Sequence, residues 1–316
     1  MTIPTTVQLG KSAIAPIGVG TWAWGDSFFW TYGKEYGEAQ LVEAFNTSVD
    51  AGITMFDTAE IYGLGESERI LGRLVKTRKE KIYIATKYMP VPWRVSARQV
   101  ADAVNASLSK LGVEFIDLYQ IHQPFSFLMG QQTLLKTLAR EVEAGRIGAL
   151  GVSNYSESQM REAHGTLASL GIPLAVNQMQ YSLLDRKIES NGVLAAAREL
   201  GVTILAYSPI AQGLLTGKYT ANGPTVATGA RKMDARFKPE GLEKIQPILM
   251  KLKEVGEKHD RTCAQVALNW LISQPGVIPI PGAKTADQAA QNAGAIGWSL
   301  NDEEIAEIDR VSRASR

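Results

Sequence analysis

Charge bias and long apolar runs are both missing from this 316-residue chain. It has 33 basic and 32 acidic residues, a formal net charge of +1, and no long basic stripe of the kind that follows a nucleic-acid backbone. No segment approaches the ~20 apolar residues that a membrane-spanning helix needs, and the N-terminus lacks the basic and apolar regions of a signal peptide. We therefore expect neither nucleic acid nor a membrane as a partner.

Cysteine and histidine are also scarce. The single cysteine, Cys263, cannot form an internal disulfide, and its apolar surroundings predict a small core residue. The histidines at 122, 164 and 259 are far apart in sequence and form no metal-ligand pair, so we expect no metal site. These features predict a soluble, cytoplasmic protein in a reducing compartment.

What the chain does contain is a repeated alternation of short β-branched or apolar runs with longer amphipathic stretches, which predicts alternating strands and helices. The hydrophobic fraction of 45% is enough for one large core, so we expect a single domain over residues 1–316. Eight strands are predicted, at 17–20, 54–57, 82–86, 116–121, 148–153, 175–178, 203–207 and 277–280. Helices are predicted at 38–51, 67–76, 96–111, 131–144, 156–170 and 192–200, followed by a long helical region at 242–273.

Eight alternations favour a closed (β/α)8 TIM barrel, with a β-hairpin at 7–15 closing its bottom. An open doubly wound sheet is the rival, but it usually has fewer strands and a phosphate-binding glycine turn that leads directly into a helix. Residues 18–23 fit that glycine pattern, yet no helical pattern follows them. The segment 211–241 is rich in glycine and proline and is predicted to be a functional loop at the C-terminal end of the seventh strand.

Four polar residues lie at or just beyond the ends of three consecutive predicted strands: Asp57, Tyr62, Lys87 and His122. Neighbouring parallel strands are about 4.8 Å apart, so these side chains come within hydrogen-bonding range of one another. Each alone could be a helix cap, a rim aromatic, a solvated charge or a buried imidazole. Together at successive strand ends they predict a catalytic centre.

Carbonyl reduction gives each of the four residues a role. Hydride adds to carbon while the carbonyl oxygen takes a proton, which Tyr62 could donate. The ammonium of Lys87 favours phenolate and would lower the pKa of Tyr62, while Asp57 would hold Lys87 charged and fixed. His122 would hydrogen-bond the carbonyl oxygen and orient it.

At these residues the sequence resembles the aldo-keto reductase superfamily, whose aspartate, tyrosine, lysine and histidine are matched by Asp57, Tyr62, Lys87 and His122. The stretches 56–63, 151–155, 177–178, 207–210 and 280–284 also look like family signatures, in the family's order. Residues 20–26 and 206–213 look most like the branch of cyanobacteria and plant plastids. The resemblance covers nearly the whole chain and implies NADPH-dependent reduction of aldehydes or ketones to alcohols.

The resemblance also implies a site for NADP(H). Ser153, Asn154 and Gln178 would bind the carboxamide and Tyr207 would stack on the nicotinamide, while Lys284 would read the 2′-phosphate. The family often has glutamate where this chain has Gln291, which puts one adenine contact in doubt. The implied cofactor residues are Gly20, Thr21, Trp22, Asp57, Ser153, Asn154, Gln178, Tyr207, Ser208, Pro209, Ile210, Ala211, Gln212, Gly213, Lys218, Arg231, Gly282, Lys284, Gln288 and Asn292.

The expected substrate is a small carbonyl compound that contacts Tyr62 and His122. Several aromatic residues fall in loops at the catalytic end, and of these Trp24 and Trp93 are predicted to contact it and to favour apolar or aromatic aldehydes. Two other functions remain open. Lys87 could form a Schiff base, as barrel aldolases do. Some relatives are subunits of potassium channels, so the chain could instead be a slow NADP(H)-binding redox sensor.

Overall fold

The computed structural model describes residues 5–314 apart from 222, 224 and 226, and contains a two-stranded hairpin and an eight-stranded parallel sheet. The strands are β1 (Val7–Leu9), β2 (Ser12–Ile14), β3 (Val19–Gly20), β4 (Met55–Asp57), β5 (Tyr83–Tyr88), β6 (Ile116–Ile121), β7 (Ile147–Ser153), β8 (Leu174–Gln180), β9 (Thr203–Tyr207) and β10 (Val277–Pro279). The α-helices are α1 (Glu38–Asp50), α2 (Glu66–Val75), α3 (Ala97–Leu111), α4 (Gln131–Glu143), α5 (Glu157–Ala168), α6 (Lys187–Ser190), α7 (Val193–Leu200), α8 (Pro239–Lys244), α9 (Gln246–His259), α10 (Cys263–Ile272), α11 (Ala286–Ala293) and α12 (Asp302–Ala314).

The strands β3 to β10 follow one another in order around the sheet, and the two outer strands meet. The amide of Gly18 donates to the Pro279 carbonyl and that of Gly20 to the Pro281 carbonyl, both at 3.0 Å. A Cβ at Gly20 would lie 2.9 Å from the carbonyl oxygen of Ile280, so only glycine permits this approach. The predicted TIM barrel is confirmed, and the open-sheet alternative is wrong.

Strand alternation divides the apolar residues between two cores. One fills the barrel, with side chains such as Met55, Leu118 and Leu205. The β1–β2 hairpin closes the bottom of the barrel, because Leu9 and Ile14 pack into the same cluster. The other core lies between the strands and the surrounding helices. The barrel interior is thus packed with side chains below the active end.

The predicted long helical region at 242–273 is divided among several helices: it contains part of α8, all of α9 and all of α10. The break after α9 has a local cause: Asp260 adopts a left-handed conformation with φ of 53°, and Thr262 caps the next helix through the Gln265 amide. The helix predicted to carry Gln288 and Asn292 is α11, whereas α6 and α12 were outside the predicted set. No helix in the described part of the chain is long and apolar enough to cross a membrane.

The glycine pattern at 18–23 does not open a helix, because α1 begins only at Glu38. The segment 211–241 contains 3-10 helices at Ala211–Thr216, Gly229–Met233 and Ala235–Phe237 and the start of α8. This connection leaves β9 at the C-terminal end of the barrel, where TIM-barrel active sites lie.

Candidate active site

A polar layer lies directly above the apolar filling of the barrel. Residues two apart on a strand share a face, so Asp57 follows Met55, Lys87 follows Ala85 and Gln120 follows Leu118 on the inner side. Gln178 follows Val176 on β8 and Tyr207 follows Leu205 on β9 in the same way. The fold thereby brings charged and amide side chains into one ring at the C-terminal ends of the strands.

Lys87 lies at the centre of this ring and is fully buried. Its Nζ donates to Asp57 Oδ1 at 2.5 Å, to the Thr58 carbonyl at 2.8 Å and to the Tyr62 hydroxyl at 3.3 Å. Burial alone would lower the pKa of Lys87, but Asp57 and Tyr62 outweigh that effect and raise it. Lys87 is therefore an ammonium with all three protons donated, and not the free amine that a Schiff base requires.

Tyr62 lies in the loop after β4, and its ring packs between those of His122 and Trp22. Its ring is 5.6 Å from the His122 ring, edge to face, and 6.4 Å from the ring of Trp22. Burial raises the pKa of Tyr62, and the ammonium of Lys87 opposes that shift without cancelling it. The expected lowering of the Tyr62 pKa by Lys87 is present in direction, but the effect of burial is larger.

His122 follows β6 and is a neutral imidazole in this environment. Burial, and secondarily the charge of Lys87, lower the pKa of His122 to about 3. Its Nδ1 is buried without a hydrogen-bond partner among the described residues. A neutral imidazole beside Tyr62 can donate a hydrogen bond to a substrate oxygen without adding a charge to the site.

Two glutamine side chains hold the second carboxylate oxygen of Asp57. The amide nitrogens of Gln120 and Gln178 each donate to Asp57 Oδ2 at 2.9 Å, and Gln178 also donates to Gln120 Oε1 at 3.1 Å. The sequence interpretation missed Gln120, although its position two residues before His122, on the strand face that also carries Leu118, was an available signal. A fully buried glutamine in a barrel interior needs partners of this kind.

The residues expected to bind the nicotinamide are grouped at the ends of β7, β8 and β9. Tyr207 donates to Asn154 Oδ1 at 3.0 Å, and Asn154 Nδ2 donates to the Ser153 hydroxyl at 3.1 Å and to the His122 carbonyl at 3.3 Å. Asn154 has a φ of 63°, a conformation that costs free energy for a residue other than glycine. The amide nitrogen of Gln178 donates inward to Asp57, so its side-chain oxygen is the group left for the expected contact with the carboxamide.

The loop that follows β9 has an unusual backbone. Ser208, Ala211 and Gln212 have φ of 51°, 46° and 55°, and Gly213 has φ of 102°. Gln212 Oε1 is buried without a partner among the described residues. Consecutive strained residues of this kind are typical of loops that wrap a ligand. The predicted pyrophosphate segment, which also includes Pro209 and Ile210, coincides with this backbone.

Two cations meet over the aromatic residue Trp30. The Arg231 guanidinium lies 4.9 Å from the ring centroid of Trp30, and Lys284 Nζ lies 5.8 Å from it and 4.4 Å from that of Tyr36. Burial lowers the pKa of Lys284, Arg231 lowers it further against the opposing effect of Glu35, and Lys218 adds a smaller lowering. Crowded cations of this kind favour binding of an anion.

The remaining residues of the implied adenosine end surround Lys284. Gln288 Oε1 accepts from the Lys284 amide at 2.8 Å, and Asn292 donates to the Gly282 carbonyl at 3.3 Å. Thr21 is different, because its hydroxyl is buried against the Asp57 carbonyl and Ser67. The side chain of Thr21 therefore supports the end of β4 from below the ligand site.

The expectation that Trp24 contacts substrate is wrong. Trp24 is fully buried, its ring packs 6.0 Å from that of Phe56, and its Nε1 donates to the Ala283 carbonyl at 2.8 Å. Trp22, which was predicted as a cofactor residue, is the indole that stands beside Tyr62 and is 36% exposed. Trp93 is 71% exposed in the loop after β5.

Fold and site together define a (β/α)8 barrel with a buried lysine-aspartate pair, a tyrosine and a neutral histidine at its C-terminal end. The model of the Aldo/keto reductase family matches residues 16–313. The chain belongs to that family, and the resemblance inferred from the sequence is confirmed together with the enzyme class, an oxidoreductase.

Individual relatives extend over most of the chain. A protein of Arabidopsis thaliana named chloroplastic pyridoxal reductase is 36% identical over 321 residues, which cover 98% of this chain and 86% of that protein. The glycerol dehydrogenase of Gluconobacter oxydans is 30% identical with a TM-score of 0.85, covering 97% of this chain and 94% of its own. An aldo/keto reductase of Klebsiella pneumoniae, solved with NADP and acetate, is 26% identical with a TM-score of 0.76, covering 98% and 96% respectively.

Proposed function

We propose that this chain, as one barrel domain, catalyses the NADPH-dependent reduction of aldehydes or ketones to alcohols, with Tyr62 as the general acid. The observation that carries the proposal is the hydrogen bond of 3.3 Å between the Tyr62 hydroxyl and Lys87, which is itself paired with Asp57 at 2.5 Å. A hydroxyl held by a fixed ammonium can release a proton and be stabilised as phenolate.

The residues present fit NADP(H), the cofactor of the solved relative from Klebsiella pneumoniae. A long polyanionic ligand finds contacts in the strained loop at 208–213 and in the cations Arg231 and Lys284. Gln212 Oε1, which has no partner among the described residues, lies in the same loop. Asn154 and Tyr207 lie at the expected nicotinamide end. When bound, NADPH supplies the hydride that adds to the carbonyl carbon.

Tyr62 supplies the proton of the reaction, and His122 orients the oxygen that receives it. As negative charge develops on the carbonyl oxygen, Tyr62 donates its proton to that oxygen and becomes a phenolate beside Lys87. Neutral His122 donates a hydrogen bond to the same oxygen and fixes the position of that oxygen between the rings of Tyr62 and His122. The phenolate then recovers a proton from solvent, so that aldehyde, hydride and one proton give the alcohol.

An apolar or aromatic aldehyde is the substrate class that fits the mouth of the site. Trp22 contacts Tyr62 directly, and Phe29 lies 6.1 Å from Trp22, ring to ring. Phe125 and Phe127 stand on the loop after β6, each more than 40% exposed. Exposed aromatic side chains at one entrance favour a substrate with an apolar face. Pyridoxal belongs in the tested panel because one relative is named for its reduction.

The test is steady-state oxidation of NADPH with aromatic aldehydes, aliphatic aldehydes and pyridoxal, using wild type, Tyr62→Phe and the control Tyr119→Phe. Tyr119 is fully buried in the core outside the barrel interior, so its variant removes a tyrosine hydroxyl without touching the site. Tyr62→Phe should lose ~10²–10⁴-fold in turnover at unchanged NADPH affinity. Wild-type turnover by Tyr62→Phe would remove Tyr62 from the role of acid.

The same assay separates the other functions. A redox sensor would bind NADPH tightly and oxidise it slowly with every aldehyde of the panel. An aldolase would give a borohydride-trapped adduct on Lys87, against which the ammonium state of that residue argues.

We further propose a reducing, cytoplasmic location, which the single, partly buried Cys263 favours over an oxidising compartment.

A further inference from the structure

Gln120 is the one member of the polar layer that the reaction described above does not use. It is fully buried on β6, at the same level as Lys87, with which it is in register across the strand pair. Below it lies the apolar filling of the barrel. A buried amide in such a place costs stability unless its donors and its acceptor are satisfied, so its partners define what it does.

Those partners are the second carboxylate oxygen of Asp57 and the amide of Gln178. Gln120 Nε2 donates to Asp57 Oδ2 at 2.9 Å, and Gln120 Oε1 accepts from Gln178 Nε2 at 3.1 Å. Asp57 thus divides its oxygens between two neighbours: Oδ1 faces the Lys87 ammonium and Oδ2 faces the two amides. The carboxylate cannot rotate without breaking bonds on both sides.

This arrangement acts on Tyr62 through Lys87. The charge of Asp57 raises the pKa of Tyr62, while the Lys87 ammonium lowers it. Hydrogen-bond donors on Oδ2 reduce the negative charge that Asp57 presents to its other neighbours. Removal of a donor would therefore make Asp57 neutralise Lys87 more fully and leave Tyr62 a weaker acid.

We propose that Gln120 is a positioning residue for the reduction: its amide holds the Asp57 carboxylate against Lys87 and at the same time orients the amide of Gln178 toward that carboxylate. This inference rests on the proposed function and adds a residue to it. With Gln178 Nε2 fixed in this way, the carbonyl oxygen of Gln178 is the group left to accept a hydrogen bond from the carboxamide.

Two substitutions at one position provide the test. Gln120→Met keeps the length of the side chain and removes its donor, whereas Gln120→Glu keeps the shape and can donate to Asp57 only while it is protonated. Two carboxyl groups that share a site hold one proton until the pH rises, after which both ionise. Activity of Gln120→Glu should therefore approach wild type at low pH and fall as pH rises, while Gln120→Met should be low throughout.

The measurement is kcat and KM for the best aldehyde between about pH 5 and about pH 8, with NADPH affinity from fluorescence titration. Gln120→Met should lose roughly tenfold to a hundredfold in kcat, the size expected for a hydrogen bond to a charged group, with little change in KM. Gln8→Met, in the hairpin at the opposite end of the barrel, should leave kcat and its pH profile unchanged.

Parallel pH profiles for wild type and Gln120→Glu would overturn the proposal, as would a Gln120→Met variant with wild-type kcat. If Gln120→Met does not fold, the profile of Gln120→Glu decides alone, because a folding defect does not reproduce recovery at low pH within one variant. These outcomes are separate from those of Tyr62→Phe. An inactive Tyr62→Phe together with an active Gln120→Met would leave the proposed function intact and remove only this inference.

Discussion

At the scale of single residues, the site works by moving pKa values in opposite directions. Burial and Lys87 lower the pKa of His122 to about 3, while burial raises the pKa of Tyr62. Both residues therefore stay uncharged around neutral pH, and Lys87 and Asp57 carry the fixed charges. A neutral donor pair around one ion pair suits a reaction in which negative charge appears only as the hydride arrives.

The low pKa of His122 makes acid stability a direct test. The unfolded state protonates His122 below about 6.5 while the folded state does not until about 3, so this contribution is complete above pH 6.5 and is lost as pH falls toward 3. His122→Asn should remove the dependence. Urea unfolding at about pH 7 and about pH 4.5 should show wild type losing about 1–2 kcal/mol more than the variant, after allowance for the partial exposure of the ring.

His164, on the surface helix α5, supplies the control for this measurement. His164→Asn should lose as much stability in acid as wild type does. An equal loss for wild type and His122→Asn would mean that His122 binds its proton equally well in the folded and unfolded protein.

At the scale of elements, an ion pair joins the loop that carries Tyr62 to the strand that carries Lys87. Glu60 Oε1 accepts from the Met89 amide at 2.6 Å, and the Arg94 guanidinium binds both Glu60 oxygens, at 2.5 and 2.9 Å. Arg94 also donates to the Met89 carbonyl at 3.1 Å and lies 4.8 Å from the Tyr88 ring centroid. This bridge fixes the end of β5 and the start of the loop with Trp93.

Removing one partner of this ion pair should lower the free energy of unfolding more than removing both partners does. Arg94→Met leaves the buried Glu60 carboxylate without its cation, and we expect a loss of about 1–3 kcal/mol in the free energy of unfolding. Glu60→Gln combined with Arg94→Met should recover part of it. A double-mutant cycle by urea unfolding measures the coupling, and additive losses would show that the two side chains do not stabilise each other.

Most elements were predictable because their signals are local. Ser96, Ser156 and Thr262 cap helices with a glutamine three residues later, and each predicted barrel strand was found. The break near Asp260 was missed, although the capping box of Thr262 and Gln265 is a local signal for a new helix there. Trp22 and Trp24 could not be distinguished either, since in an irregular loop the choice of which indole is buried depends on contacts with distant residues such as Ala283.

At the scale of the whole molecule, the barrel brings together residues that the sequence keeps far apart. Lys284 follows β10, Arg231 comes from the connection after β9, and Trp30 and Tyr36 come from the loop after β3. The closure of β3 against the 279–282 segment makes these three connections neighbours. The family resemblance implied Lys284 and Arg231, but the aromatic residues beneath them follow only from the closed barrel.

This assembled cluster is where NADPH and NADH should be distinguished, since they differ by the 2′-phosphate alone. Burial and the positive charge of Arg231 lower the pKa of Lys284. A bound phosphate would offset the repulsion between these two cations. Lys284→Ala should raise the dissociation constant for NADPH roughly tenfold to a hundredfold and leave that for NADH nearly unchanged. Lys11→Ala makes the same change of net charge in the hairpin at the other end of the barrel and should affect neither cofactor. Fluorescence titration of the three proteins with both cofactors measures this, and equal wild-type affinity for NADPH and NADH would mean that Lys284 does not bind the phosphate.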